Sequence, residues 1–233
     1  MRLHTMIVLS LSTLAVLALA GCSHGSPRAT DPTSSASTLP AHQEGKDAPA
    51  SAPLSSAALS KRLLGESDLG EGYVRKPEQP VRHDDVTVTG CPALDKLSGD
   101  AAVGGSLGFP RKAKASFTYA GGVDSEVAEE LYSDTEDKLS KGVGRIFDAM
   151  TSCPTYQVLV GSTPITVRTQ KVPVARMGDE RWSLVLTFIA GGRSSVVKQT
   201  AIRTGMVVVV ISGASALVDA HAEKAVAKAL VNR

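Results

Sequence analysis

Aromatic side chains, net charge, cysteine and long apolar runs are all scarce in this chain of 233 residues. Aromatic residues make up 4% of the chain and the formal net charge is +2. The chain therefore has neither the stacking side chains nor the positive charge typical of proteins that bind nucleic acid. Hydrophobic residues make up 42% and charged residues 21%, which is ordinary for a globular protein. The composition predicts a globular protein that does not bind nucleic acid.

The single long apolar run, residues 6–20, follows the positive charge of Arg2. It is shorter than the roughly 20 residues that a membrane-spanning helix requires. Small residues follow at Ala20 and Gly21, and no positive cluster comes after Cys22. This layout is typical of a secretory signal peptide. An uncleaved membrane anchor is the less favoured alternative.

The segment Leu19-Ala20-Gly21-Cys22 resembles the lipobox of bacterial lipoproteins. In that family the cysteine thiol is alkylated with diacylglycerol and the signal peptide is cut before the cysteine. The resemblance implies that residues 1–21 are removed and that Cys22 carries a diacylglyceryl group and palmitate. Two or more acyl chains anchor a protein stably. We therefore expect an exported protein, bound through Cys22 to the outer face of the cytoplasmic membrane.

Residues 23–53 are rich in Ser, Pro, Ala and Thr and contain almost no large apolar side chain. They cannot bury enough surface to offset the entropic cost of ordering. With Cys22 they are predicted to form a lipidated, disordered tether over residues 22–53, spanning roughly 30 Å as a flexible coil. Residues 54–233 suit a single globular domain.

Cys91 and Cys153 are the two cysteines that remain if Cys22 is lipidated. In an exported protein exposed to oxidants, we expect them to form a disulfide. On the chain-entropy model, closing a loop of about 62 residues stabilises the fold by about 4 kcal/mol. Two free buried thiols are the alternative.

Two long helices are predicted. The first begins with a capping box of Ser133 and Glu136 and ends before Pro154. Its predicted core-facing side chains are Leu139, Val143, Ile146, Phe147 and Met150. The second, over residues 214–230, is predicted to face the core with Leu217, Val226 and Leu230. Short helical segments are predicted at residues 55–64 and 92–97.

Residues 112–119 alternate between apolar and polar side chains, which predicts a strand with one solvated face. Residues 207–211 are apolar on both faces and predict a central, covered strand. Residues 126–132 fit both a helix and a strand. The other predicted strands are 156–160, 165–171, 182–189 and 195–203, and residues 207–211 belong to a predicted strand over 206–212. This pattern predicts an α+β domain, with an antiparallel sheet of about five to six strands packed by two main helices.

Four segments resemble parts of a known family: LLGESDLGEGY (63–73), SCP (152–154), MGDE (177–180) and IRTGMVVVVISG (202–213). Together they resemble actinobacterial lipoproteins similar to the extracellular sensor domain of a mycobacterial serine/threonine protein kinase. The resemblance implies a sheet-and-helix domain with a groove and a ligand-sensing role, and it favours a strand at 126–132. That kinase domain carries two disulfides, whereas one cysteine pair is available here. No ligand-binding residue can be carried over.

Several short patterns are typical of enzymes but lack the context that catalysis requires. Ser195 and Lys198 match the S-x-x-K motif of penicillin-binding enzymes, and residues 203–205, Arg-Thr-Gly, weakly resemble their K-T-G motif. In a strand, however, the side chains of Ser195 and Lys198 point to opposite faces. Residues 213–217 lack the second glycine of a nucleophile elbow. Residues 104–108 lack the spacing of a phosphate loop. We expect no enzyme and no cofactor.

A metal site would have to start from residues 83–85, His-Asp-Asp. Beyond the tether, the one other histidine is His221. A catalytic zinc site needs three protein ligands. We therefore interpret residues 83–85 as a solvated loop and expect no metal.

The sequence predicts a non-enzymatic ligand-binding or sensing domain. Its ligand would be a small molecule, a lipid or a cell-wall component, and a membrane protein is the expected kind of partner because the chain has no kinase domain. One alternative is a carrier of lipid or cell-wall precursor, which needs an apolar cavity. Another is a cell-wall hydrolase, which needs carboxylates such as Asp124, Glu126 or Asp179 to converge with raised pKa values.

Residues 111–114 form a small basic segment, Arg-Lys-Ala-Lys. Such a segment suits anionic lipid headgroups or wall polymers. A charged edge strand that discourages aggregation is an equally favoured interpretation.

Overall fold

The computed structural model describes residues 52–78, 86–97, 107–122 and 125–231, which all belong to the unit Pro49–Arg233. The predicted signal peptide, Cys22 with its predicted lipid, residues 23–51 of the predicted tether, Asp124 and residues 83–85 lie outside the described residues. No helix in the described ranges is long and apolar enough to cross a membrane.

The described residues form nine strands and five helices. The strands are β1 (Tyr73–Arg75), β2 (Val86–Thr89), β3 (Lys112–Tyr119), β4 (Glu126–Ser133), β5 (Thr155–Val160), β6 (Thr163–Lys171), β7 (Glu180–Ala190), β8 (Arg193–Thr204) and β9 (Val207–Gly213). The helices are α1 (Ser56–Ser60), α2 (Glu66–Leu69), α3 (Pro92–Asp95), α4 (Glu136–Ser152) and α5 (Ser215–Leu230). The α+β class is confirmed, and residues 126–132 are strand.

All nine strands belong to one antiparallel sheet, in the order β1-β3-β4-β9-β8-β7-β6-β5-β2. The prediction of about five to six strands is therefore wrong in number. β1 and β2 contain only three and four residues and were missed. Runs this short give too few alternations for a period of two to be recognised.

β9 lies inside the sheet, and all five of its residues from Val207 to Ile211 are buried. Val208 and Val210 belong to one apolar core, with α4. The alternate residues belong to a second core, with α1 and α5. The prediction of a central strand covered on both faces is confirmed.

The apolar face of α4 is confirmed, because its five predicted core-facing residues are buried. The capping box is wrong. The helix begins at Glu136 with Thr135 as its N-cap, and that cap makes no side-chain hydrogen bond. Ser133 belongs to β4, where its Oγ donates to Met206 O (2.7 Å) and accepts from Leu54 N (2.9 Å). The hydroxyl is thus already engaged by two backbone groups.

The core-facing side of α5 differs from the prediction. Leu217 and Val226 are only half-buried, and Leu230 is 37% exposed. The buried side chains are Val218, His221, Ala222, Ala225 and Ala229. Small alanine side chains allow a helix to approach a sheet closely, and they give a weaker hydrophobic pattern than leucine and valine do.

Cys91 and Cys153 form a disulfide, with their Cα atoms 5.7 Å apart. Cys91 is the N-cap of α3 and is buried, while Cys153 directly follows α4. The bond therefore ties the segment after β2 to the end of the longest helix.

The MGDE and IRTG segments meet in a polar cluster around Arg203, which we call the Arg203 clasp. Its guanidinium bonds to the Glu180 carboxylate, to Asp179 Oδ2 (3.3 Å) and to Gly205 O (3.0 Å). Gly205 N in turn donates to Asp179 Oδ2 (2.8 Å), and Ser140 of α4 donates to Glu180 Oε1 (2.7 Å). Two of the segments that resemble the family thus have a structural role.

Gly178 packs its backbone against the clasp, and its φ of +63° lies in the left-handed region. A Cβ added there would meet the carbonyl oxygen of Arg203 and lie 2.7 Å from Ile202 Cγ2. Gly191 in the β7–β8 turn has a similar φ of +55°, but a Cβ there would meet no atom within 4 Å. Substitution of Gly178 therefore causes both backbone strain and steric overlap, whereas substitution of Gly191 causes backbone strain alone.

We expect Gly178→Ala to lower the free energy of unfolding by about 3 kcal/mol or more, because strain and overlap add. Gly191→Ala should lower it by only about 1 kcal/mol, from backbone strain alone. Urea unfolding followed by the fluorescence of Trp182 measures both. Equal losses in the two variants would contradict the close packing at Gly178.

Candidate functional site

A cleft of about 270 Å³ opens where β1 departs from β3. We call it the edge cleft, and its lining residues are Arg75, Lys76, Pro77, Glu78, Lys114, Ala115, Ser116 and Glu126. β1 pairs only with the last three residues of β3, and one further bond joins Lys76 N to Ser116 O (2.8 Å). Pro77 follows and has no N–H with which to continue the pairing.

The first half of β3 consequently presents an open backbone edge. Lys112 N donates away from the sheet to Ser56 Oγ (3.1 Å), and Ser116 O accepts from Lys76. Alternate residues of an antiparallel strand point their N–H and C=O groups to the same side. Lys114 lies between these two residues, so its N–H and C=O point into the edge cleft. Within the described part of the chain they meet no partner.

Charged side chains border the edge cleft as two ion pairs. Lys76 Nζ lies 2.7 Å from Glu126 Oε2, and both side chains are largely exposed, so this pair adds little stability. Lys114 Nζ lies 2.6 Å from Glu130 Oε1. The other carboxylate oxygen of Glu130, Oε2, accepts a hydrogen bond from the buried Tyr132 hydroxyl. The second pair fixes the Lys114 side chain while its backbone faces the cleft.

Two of the carboxylates predicted for a hydrolase, Glu126 and Asp179, lie within the described residues and do not converge. Glu126 borders the edge cleft, at the end of the sheet where its carbonyl accepts from Ala214 N. Asp179 lies in the Arg203 clasp at the other end of β9. The seven residues of β9 separate the two ends by roughly 20 Å. Paired carboxylates in glycoside hydrolases lie within roughly 10 Å of each other.

The basic segment 111–114 is largely engaged by neighbouring groups. Arg111 Nη1 lies 3.8 Å from Asp134 Oδ1, and Lys114 pairs with Glu130. The segment belongs to the part of β3 that does not pair with β1, which favours its interpretation as a charged edge strand.

Where the structure describes them, the other sequence patterns do not assemble into a catalytic or metal site. Ser195 is an exposed residue of β8, and Lys198 Nζ pairs with Asp219 Oδ1 of α5 at 2.5 Å. Residues 203–205 belong to the Arg203 clasp. His221 Nε2 lies 2.7 Å from the Tyr73 hydroxyl. Among the described residues, no three His, Cys, Asp or Glu side chains lie close enough together to hold a metal ion.

The carboxyl group of Glu129 is buried, which was not predicted from the sequence. Its Oε2 accepts from Leu64 N (2.6 Å), and no partner for its Oε1 is found within the described residues. Burial raises the pKa of Glu129 to about 7, although the Leu64 bond and the charge of Lys228 act in the opposite direction. Val127, Glu129 and Leu131 alternate along β4, so the period of two could have placed Glu129 in the core.

The remaining family-like segment, residues 63–73, is also structural. Gly65 N donates to Asp68 Oδ2 (2.7 Å), and Arg75 N donates to Glu66 Oε1 (2.7 Å). Lys228 of α5 pairs with Asp68. These bonds connect α2 to β1 and to α5.

Comparison with solved structures identifies the fold. The structure is similar to that of the extracellular domain of PknH from Mycobacterium tuberculosis, with a TM-score of 0.56 and 19% sequence identity. The match covers 76% of this chain and 97% of that domain. The chain has the fold of a kinase extracellular domain. No protein-family model and no curated protein matches the chain in sequence.

This likeness confirms, at the level of the fold, the predicted similarity to the extracellular domain of a mycobacterial kinase. The three of those segments that the structure explains in most detail, 63–73, 177–180 and 202–213, maintain contacts between elements. A fold can keep such contacts while its overall identity is low, because they hold helices and turns against the sheet.

The pKa of Glu129 predicts a pH dependence of stability. The folded-state pKa of about 7 exceeds the usual value of 4.5, so the folded protein binds more protons than the unfolded chain between these values. Stability from this group is complete below about pH 4.5 and is lost as the pH rises to about 7, by up to about 1.4 kcal/mol per pH unit.

Glu129→Gln should remove this part of the pH dependence, so that the variant gains stability relative to the wild-type protein between about pH 5 and pH 7. Urea unfolding at each pH measures the difference. Glu71→Gln, which changes an exposed carboxylate, is the matched control and should follow the wild-type protein. Parallel curves for Glu129→Gln and the wild-type protein would contradict the assignment.

Proposed function

We propose that this protein is an extracytoplasmic lipoprotein whose domain binds a ligand or a protein partner without catalysing a reaction. The fold is the observation that supports this most directly, because it matches nearly the whole of a domain that is extracellular in its own protein. The disulfide agrees with an exported location. The lipobox-like segment at Cys22 supplies the anchor, and residues 23–53 supply the tether.

The edge cleft is the proposed binding site. Lys114 offers a backbone donor and acceptor there, and an extended peptide could pair with them as an added strand. The bordering charges of Arg75, Lys76 and Glu126 would select polar ligands. We therefore propose an extended, polar, peptide-like ligand, taken from the cell wall or from a membrane protein.

The two alternatives from the sequence gain no support from the described residues. A lipid carrier needs an apolar cavity, whereas the edge cleft is lined mostly by charged side chains. A hydrolase needs converging carboxylates, whereas Glu126 and Asp179 lie at opposite ends of β9.

The anchor is tested with Cys22→Ala. We expect the variant to keep its signal peptide or to be released from the membrane, because neither alkylation nor cleavage before Cys22 can occur. Metabolic labelling with palmitate and membrane fractionation measure this. Normal processing and unchanged membrane attachment of the variant would contradict the lipoprotein assignment.

The edge cleft is tested with Lys114→Pro, which removes the outward N–H that an added strand would use, without breaking a bond to β4. Lys114→Ala loses the same side chain but keeps the N–H, and it is the matched control. Native mass spectrometry of protein purified from a native-like envelope should find bound mass, lost on denaturation, on the wild-type protein and on Lys114→Ala only. Retention by Lys114→Pro would contradict this location.

A further inference from the structure

A second cleft, of about 550 Å³, lies between α1 and the C-terminal end of α5. We call it the basic cleft, and its lining residues are Ser55, Ala57, Ala58, Lys61, Arg62, Lys228 and Val231. Three of these side chains are cationic and none is acidic. The cleft begins at Ser55, directly beyond the proposed tether.

The cations of the basic cleft exceed the negative charge beside them. Lys228 pairs with Asp68, and Lys224 donates to the backbone carbonyl of Asp68. Arg62 Nη1 donates to Ala229 O (2.9 Å), which leaves the other N–H groups of its guanidinium for further bonds. Lys61 is exposed at the C-cap of α1. Lys224 and Lys228 both bond to Asp68, whereas Lys61 and Arg62 add two positive charges that no acidic side chain lining the cleft balances.

Large apolar side chains are exposed at the same place. Leu230 and Val231 are 37% and 47% exposed. Elsewhere in the described ranges only Val74 and Val196 are large apolar residues with comparable exposure. Apolar side chains beside Lys and Arg are typical of surfaces that lie in the interface of a membrane.

Helix capping explains only part of this arrangement. The end of α5 carries partial negative charge, which favours Arg62 and Lys228 nearby. Capping explains neither the charge of Lys61 nor the exposure of Leu230 and Val231. A helix end that needs only capping would carry polar residues at these positions.

We propose that the basic cleft docks on the phosphate groups of anionic phospholipids. The Lys61 ammonium and the Arg62 guanidinium bind phosphate oxygens, and the planar guanidinium can donate two parallel hydrogen bonds to one phosphate. Leu230 and Val231 enter the interface between headgroups and acyl chains.

The docking rests on the proposed function, because the lipid anchor would keep the domain near the membrane. A tether that spans roughly 30 Å gives an effective concentration of the order of millimolar. Weak binding by the cleft is therefore sufficient to hold the domain against the bilayer in one orientation.

The test uses residues 22–233 with Cys22→Ser, so that binding cannot come from acylation. Sedimentation with phosphatidylcholine vesicles, with and without phosphatidylglycerol, gives the partition coefficient. We expect binding only when phosphatidylglycerol is present, weakened by salt. Lys61→Glu changes two units of charge and should lower the partition coefficient roughly 30-fold.

Lys141→Glu is the matched control, because Lys141 is exposed on α4, which covers the face of the sheet opposite to α1 and α5, and it should change binding less than about 3-fold. Val231→Ser keeps the charge and should weaken binding several-fold. Circular dichroism verifies that each variant is folded.

Equal binding to vesicles with and without phosphatidylglycerol overturns the proposal, as does an equal effect of Lys61→Glu and Lys141→Glu. Binding to a soluble polyglycerol phosphate but to no vesicle also overturns it, in favour of a wall polymer. None of these outcomes affects the anchoring through Cys22, which the Cys22→Ala experiment tests separately.

Discussion

The architecture depends on the burial of β9 on both faces. Five consecutive apolar residues leave no side for water, so each face of the sheet needs its own cover. α4 covers one face, and α1 with α5 covers the other. Because both faces at the centre are occupied by packed side chains, binding surfaces are confined to the margins of the domain. Both the edge cleft and the basic cleft lie at such margins.

Strong, regular patterns in the sequence predicted the centre of the molecule well. The spacing of Leu139, Val143 and Phe147 defines α4, and the unbroken apolar run defines β9. The prediction failed where local signals are weak or ambiguous. α5 packs through alanines, and the hydroxyl of Ser133 found partners distant in sequence instead of the helix that follows it. Tertiary contacts decide such cases, and no local pattern contains them.

The sites were harder to predict than the fold, because each is formed by segments that are far apart in the sequence. The edge cleft exists because pairing stops at Pro77 while β3 continues. The basic cleft joins the first described helix to the last. Glu129 is different, because the alternation along β4 already indicated that its side chain faces the core. Glutamate is rarely buried in a core, so this indication is easily overlooked.

The position of β1 and β2 at opposite margins of one sheet has a consequence for the order of folding. These strands are neighbours in the chain, but each must pair with a strand that comes later in the sequence. Neither can dock before its partner is in place, so closure of both margins belongs to the late steps of folding. Afterwards the disulfide at Cys91 secures the β2 margin covalently, whereas the three residues of β1 are held by hydrogen bonds and packing alone. The β1 margin is thus held by fewer constraints than the β2 margin, and we expect it to open locally more readily.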